Sequence, residues 1–283
     1  MPFYTDCIII VRTFLLMTDR YLLYIDILGF SDLVTEQIHD LYEVIASLNI
    51  HKHSAFRALV FSDTILVYSV DGGHTPQDRS YLVMFLCEVA QDLQLRLTGR
   101  GIVFRAVLVR GDFTHYELNS LPCFFGPALN DAYRSEKKIK AVGLFMHRSI
   151  VPDSDIFKGV AFNDKYNFVF ITQSLNEVED QLGGSFPMAR FLVEDTELIY
   201  YLVPEILYLK QLNHWATAHR VEKVRKKCLR SLALFRTRYP KTLQHLESTN
   251  FNLEAISPGA SWAEVVSRFP ENYAGAIENR VSY

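Results

Sequence analysis

Two apolar, β-type runs early in the chain are each interrupted by a single aspartate, and no other feature limits the possible folds as much. Asp26 sits in Tyr24-Ile25-Asp26-Ile27-Leu28-Gly29-Phe30, and Asp63 in Leu59-Val60-Phe61-Ser62-Asp63-Thr64-Ile65-Leu66-Val67. A carboxylate inside such a run opposes both strand propensity and burial, so it persists where a cation or a hydrogen-bond network neutralises it. A lone aspartate here reads more readily as a turn cap or a solvent-facing hairpin residue. Two of them, one strand and one helix apart, point instead to a shared divalent metal.

The periodicity around these runs sets the fold class. Residues 20–28 read as a buried strand ending in a tight turn at Gly29-Phe30, with Ser31 or Asp32 able to cap the next helix. Residues 56–61 and 64–70 read as two strands joined at a Ser62-Asp63 hairpin tip. A long helix is expected over about 76–97, then a strand over 103–109 stopped by Gly111, then a loop or irregular hairpin arm over 112–122. Gly126-Pro127 opens a helix running to about 140, with proline where a first helical turn tolerates it. A short strand follows at 143–147. This order indicates an α+β fold, a mostly antiparallel central sheet flanked by helices, rather than a parallel doubly wound one. Residues 151–184 give a weak signal, 196–204 read as a last strand, and 207–239 read as a strongly basic helix broken at Pro240.

The chain has 283 residues, 49% hydrophobic and 22% charged, and a net charge of −3. That describes a globular protein with a full core and gives no reason to expect a nucleic-acid partner. Cys7, Cys87, Cys123 and Cys228 have no CxxC spacing, so a zinc site or disulfide framework is not expected and a reducing, cytoplasmic setting is. The apolar run at 7–16 contains Arg12 and falls short of the roughly 20 residues a membrane span needs, so no membrane insertion is expected. It reads as an extra strand, a disordered lead-in, or sequence upstream of a start at Met17. The last is preferred, because Thr18 leads straight into the first strand. The expected organisation is 1–16 lead-in, 17–205 catalytic domain and 206–283 helical C-terminal extension.

If the first strands pair as neighbours, Asp26 and Asp63 share one sheet edge. Together with a backbone carbonyl such as that of Ile27, they offer the hard oxygen set that Mg²⁺ or Mn²⁺ prefers. The Gly29-Phe30-Ser31 turn would present backbone N–H groups to a phosphate. Asn130 and Arg134, four apart on one helix, suit an oxygen-rich ligand, although by spacing alone an ordinary surface pair is the commoner reading. The basic helix over 220–238 reads as a solvated face with an apolar stripe that docks on the rest of the protein.

The strand YIDILGF, the hairpin FSDTILVYS and the helix GPALNDAYRSEK resemble, in order and approximate spacing, those of class III nucleotidyl cyclases, over about residues 20 to 147. The wording DILGFS, FSDTI, VRGDF and GPALNDAY is most similar to the pyrimidine cyclases of bacterial Pycsar anti-phage systems. The resemblance implies the class III cyclase fold and two divalent cations held by Asp26, Asp63 and the Ile27 carbonyl. It places Gly29 and Phe30 at the triphosphate, Asn130 at the ribose and Arg134 at the α-phosphate. It also implies a head-to-tail homodimer in which the aspartates of one chain face Asn130 and Arg134 of the other.

Where purine cyclases carry a base-reading Lys or Glu, this chain has Leu59, which neither donates nor accepts a hydrogen bond. The partner position is Cys123, and Arg57, on the same strand face as Leu59, is a candidate to reach a pyrimidine O2 or O4. The implied activity is cyclisation of a pyrimidine nucleoside triphosphate, UTP favoured, to its 3′,5′-cyclic monophosphate as a second messenger in anti-phage defence. A cytidylate or purine cyclase, or a non-catalytic nucleotide-binding dimerisation module, stays open.

Overall fold

The computed structural model describes residues 18–267 except 31, 32, 34, 49, 51, 52, 119, 196 and 197. The lead-in expected over 1–16, the helix caps expected at Ser31 or Asp32, and the end of the C-terminal extension at 268–283 lie outside the described residues.

Strand β1 (Thr18–Leu28) alternates strictly. Tyr21, Leu23, Ile25 and Ile27 point to one hydrophobic cluster, and Leu22 and Tyr24 to another on the opposite side. A strand covered on both faces reads as a continuous apolar run. The first cluster is closed by α1 (Thr35–Ser47) and, beyond the hairpin of β2 (Phe56–Phe61) and β3 (Thr64–Ser69), by α2 (Pro76–Leu97). A capping box starts α2: the Asp78 N–H donates to Thr75 Oγ1 (3.1 Å) and the Thr75 N–H to Asp78 Oδ2 (2.9 Å).

Strand β4 (Val103–Leu118) does not stop at Gly111. It runs on as one arm of a hairpin with β5 (Leu121–Phe125), so of the two readings of 112–122, a loop or a hairpin arm, the described residues form the hairpin arm. Gly126 then opens α3 (Pro127–Lys138); a Cβ at this glycine would collide with the Asp112 carbonyl, so the helix starts tight against β4. After β6 (Gly143–His147), the weakly patterned stretch holds β7 (Gly159–Ala161) and β8 (Tyr166–Val169). The eight-stranded sheet has the order β2-β3-β1-β4-β6-β8-β7, with β5 paired to β4, and only β4 and β6 run parallel. The α+β architecture with a mostly antiparallel sheet is as the sequence leads one to expect.

The rest is helical: α4 (Gln173–Asp180), α5 (Arg190–Glu194), α6 (Leu198–Ala218), α7 (Glu222–Arg238), α8 (Pro240–Ser248), α9 (Leu253–Ile256) and α10 (Trp262–Ser267). Of the strand expected over 196–204, the described residues 198–204 are instead the start of α6. All of 202–209 is buried in that helix, and an element apolar on every side carries no period by which to tell helix from strand. The single helix expected over 207–239 is two, broken at 219–221; the break expected at Pro240 is there, α7 ending at Arg238 and Pro240 standing in the first turn of α8. Helix α6 runs across residues 205 and 206. Its buried side chains share one cluster with Leu22, Tyr24, Val107 and Phe168 of the sheet, on the face also covered by α3. Among the described residues no helix is long and apolar enough to cross a membrane.

Candidate active site

The hairpin brings the two aspartates together. Asp26 stands opposite Thr64 in the β1–β3 register, and the Ile27 N–H donates to the Asp63 carbonyl at 2.8 Å. The turn between β2 and β3 has two residues, Ser62 and Asp63, and Ser62 adopts a left-handed φ of 54°. By the alternation of β1, Asp26 shares the face of Leu22 and Tyr24, toward α3 and the C-terminal helices.

That face supplies a cation the sequence reading did not single out. Arg105 of β4 donates from Nη2 to Asp26 Oδ2 (3.1 Å) and from Nη1 to the Ile139 carbonyl (2.6 Å), and it is ion-paired with Glu136 of α3. Arg105 and Glu136 are buried and Asp26 is half-buried. Arg105 Nε is buried with no hydrogen-bond partner among the described residues. Burial raises the Asp26 carboxyl above the ordinary aspartate range; Arg105 opposes the shift and the charge of Asp63 adds to it. Arg105 carries the same signature that marks the aspartates, a charge inside the apolar run Val103-Phe104-Arg105-Ala106-Val107.

Gly29 turns at φ +76°, a left-handed conformation that favours glycine, and Phe30 packs on the α1–α2 side. This turn opens onto a cavity of about 700 Å³ whose opposite wall comes from the α6–α7 junction, including Trp215, His219 and Arg220.

On α3, Ala128, Ala132 and Glu136 face inward, while Asn130 and Arg134 lie on the exposed side. Among the described residues no hydrogen bond or ion pair joins Asn130 or Arg134 to Asp26 or Asp63. The helix reaches the aspartates through other residues: Glu136 by way of Arg105, and Tyr133, whose ring meets that of Tyr24 edge-on at 6.3 Å.

The three base-reading candidates are distributed over two strands. Leu59 is half-buried on β2 and packs against the α3-side cluster. Arg57 is exposed, and its Nη1 donates to the carbonyls of Ser54 (2.9 Å) and Phe56 (2.7 Å). Opposite Arg57 stands Tyr68, whose hydroxyl bonds His115 Nδ1 (2.7 Å), and His115 stacks on Phe124 at 4.5 Å. Cys123 pairs with Tyr116 across the β4–β5 arm and donates to the Leu121 carbonyl (3.4 Å). Strand alternation puts it on the opposite side of that arm from Phe124.

No protein-family profile matches the chain, and no curated protein sequence matches it. Solved structures with a similar chain path include the monomeric guanylyl cyclase domain of the RhoGC fusion protein from the aquatic fungus Blastocladiella emersonii. It has 17% identity and a TM-score of 0.44, with 54% of this chain and 95% of that one covered. The guanylate cyclase domain of RhGC from Catenaria anguillulae, in complex with GTP, gives 16% identity, a TM-score of 0.42, and 54% and 97% coverage. The adenylyl cyclase CyaB from P. aeruginosa gives 13%, 0.38, and 54% and 93%.

Proposed function

We propose that this chain is a metal-dependent cyclase that converts a pyrimidine nucleoside triphosphate, UTP in preference to CTP, into its 3′,5′-cyclic monophosphate and pyrophosphate. Its biological role on this reading is to make a second messenger in anti-phage defence. One observation carries the chemistry: Asp26 of β1 and Asp63 of the hairpin turn meet at one sheet edge, where the Ile27 N–H beside Asp26 donates to the Asp63 carbonyl at 2.8 Å, in a chain whose Asn130-x-x-x-Arg134 helix follows in the order the resemblance requires. The motif wording supports the pyrimidine and defence parts of the reading, and Leu59 supports the first of them, since it leaves a purine's hydrogen-bonding edge without a partner.

The donor set fits a divalent cation. Asp26 is held half-buried against the charge of Asp63, a repulsion that a shared cation relieves. Among the described residues no group of three or more His, Cys, Asp or Glu side chains gathers as a metal cluster. The protein's share is thus two carboxylates and a carbonyl such as that of Ile27, with the other positions left to water and phosphate oxygens, as Mg²⁺ and Mn²⁺ accept. Two such ions, when bound, lower the pKa of the 3′-hydroxyl and neutralise triphosphate charge.

The chain's own residues do the rest. Asn130 orients the ribose, and Arg134 stabilises the charge that builds on the pentacoordinate α-phosphorus. Backbone N–H groups at Gly29 and Phe30 hold the triphosphate. The 3′-oxygen forms its bond to the α-phosphorus as the bond to the bridging oxygen breaks, pyrophosphate leaves, and the proton passes to solvent or substrate. Arg57 supplies the donor for the pyrimidine carbonyl. Because Asn130 and Arg134 lie on the exposed face of α3, the complete site forms across a homodimer, twice by symmetry.

The test is to incubate the purified protein with each nucleoside triphosphate and Mn²⁺ and assay pyrophosphate and cyclic product. Cyclic UMP is expected. Product from no nucleotide would sink the enzyme reading, and cyclic AMP or GMP alone would sink the pyrimidine reading.

A further inference from the structure

Helix α7 is pinned to the start of β6, two strands along the sheet from Asp26 of β1. Ser231 Oγ accepts from the Val142 N–H (2.9 Å) and donates to the Val142 carbonyl (2.8 Å). Three residues away, the Ile139 carbonyl takes Arg105 Nη1, and the other arm of that guanidinium reaches Asp26. Lys227 stands one helical turn before Ser231, half-buried, where the charges acting on it include Arg105, Asp26 and Lys140. Burial, with the neighbouring cations, disfavours its ammonium form, and Asp26 works the other way. Arg105 is compensated by Asp26 and Glu136, but the Lys227 ammonium has no hydrogen bond or ion pair among the described residues, and a half-buried ammonium in that state is one that an anion stabilises. The unpartnered Nε of Arg105 leaves a buried donor at the same place. Toward the N-terminus of the helix, Val224 and then Arg220 line the cavity of about 700 Å³ that the Gly29 turn opens. That volume is within the range of small-molecule sites. The junction residue Arg220 and the first turns of α7, through Val224 to Lys227, therefore lead from this cavity toward the Asp26–Arg105 pair.

We infer that α7 closes the triphosphate side of the site from within the same chain, with Lys227 and Arg220 binding the β- and γ-phosphates that the Gly29 turn also meets. The inference rests on the cyclase reading, and it assigns substrate-binding residues to the helical part of the chain, outside the motifs that carry the cyclase resemblance. Lys227 is positioned for phosphates next to the reacting centre and Arg220 for those at the cavity.

Calorimetric titration of the full chain with inorganic tripolyphosphate and Mg²⁺ tests it without turnover. The wild type should bind. Arg220→Ala and Lys227→Gln should each weaken binding about tenfold, the double variant should weaken it further, and Lys227→Arg should restore it, since a charge-assisted contact is what is lost. In turnover the same variants should raise KM by comparable factors while the choice among UTP, CTP and purines stays as in the wild type. Circular dichroism and Tm establish that each variant is folded, and Arg220, being exposed, carries the test alone if Lys227→Gln does not fold. Tripolyphosphate binding that is absent in the wild type, or unchanged in folded variants, overturns the inference. Cyclic product made normally by variants with unchanged binding overturns it and leaves the cyclase reading standing. Binding lost in the variants of a protein that cyclises no nucleotide upholds the anion site and removes the cyclase.

Discussion

At the scale of single residues, the site is organised around Arg105 as much as around the aspartates. Its guanidinium is buried between Asp26 and Glu136, and removing one partner from a buried ion pair costs more than the pair is worth, because the others keep their charge in a dry place. Arg105→Met should lower unfolding stability by about 3–5 kcal/mol, read from the urea midpoint at constant m, and abolish turnover. Asp63→Ala is expected to behave in the opposite way. It removes a charge that repels Asp26, so turnover should be lost while stability stays within about 0.5 kcal/mol of wild type. A stability loss as large as that of Arg105→Met would mean that Asp63 is a structural residue. Both aspartates and Arg105 were open to sequence reading through one signal, an ionisable group in an apolar strand. Lys227 gives no such signal, because in a basic helix one lysine looks like the next.

At the scale of elements, the most consequential helix is α6, whose first residues, 198–204, sequence patterning assigns to a strand. Helix α6 buries Glu205, whose carboxylate accepts the N–H groups of Ser174 (3.2 Å) and Leu175 (2.9 Å) at the start of α4. Those contacts favour the ionised form, yet burial outweighs them and pushes the carboxyl up to about 8. The folded protein thus holds this proton more tightly than the unfolded chain does. The resulting stabilisation is fully present below the ordinary glutamate range and is lost as pH rises through about 8. Between these limits stability should fall with pH by up to about 1.4 kcal/mol per unit. Glu205→Gln keeps a side-chain acceptor and should flatten that slope, as urea midpoints measured from pH 5 to 8.5 would report. A slope that persists in the variant would place the titration elsewhere.

At the scale of the whole molecule, one sheet serves two separate cores. The α1–α2 side is an ordinary helix-covered face. The other side is shared by α3 and by the C-terminal helices, with Phe235 of α7 meeting Phe168 and Phe170 edge-on at 5.4 and 5.7 Å. The helical part of the chain is thus packed into the core beside the site. Phe61, Leu121, Phe125 and Tyr133, at the hairpin tip, the β4–β5 arm and α3, are left exposed, a surface suited to the homodimer proposed above. In that dimer, Asp63→Ala and Arg134→Ala chains are each inactive alone. Mixed, they form a heterodimer with one intact site, so random pairing should restore about a quarter of wild-type activity. No recovery on mixing would overturn the composite site.

By itself the sequence determined what depends on neighbours along the chain. Apolar β-type runs located β1 to β3, the start of β4 and β6, the Ser62-Asp63 turn fixed the hairpin, Gly126-Pro127 opened α3, and the carboxylates in apolar runs marked the edge where chemistry is expected. Tertiary structure decided what depends on neighbours in space. It turned 198–204 into helix, because burial on every side erases the period that tells helix from strand. It extended β4 past Gly111, because pairing with β5 outweighs a local breaker. It also set Arg105, Glu136 and Lys227 around Asp26, because the net charge felt by a buried carboxylate is a sum over everything packed against it. That sum comes from four separate stretches of the chain, and only the fold brings them together.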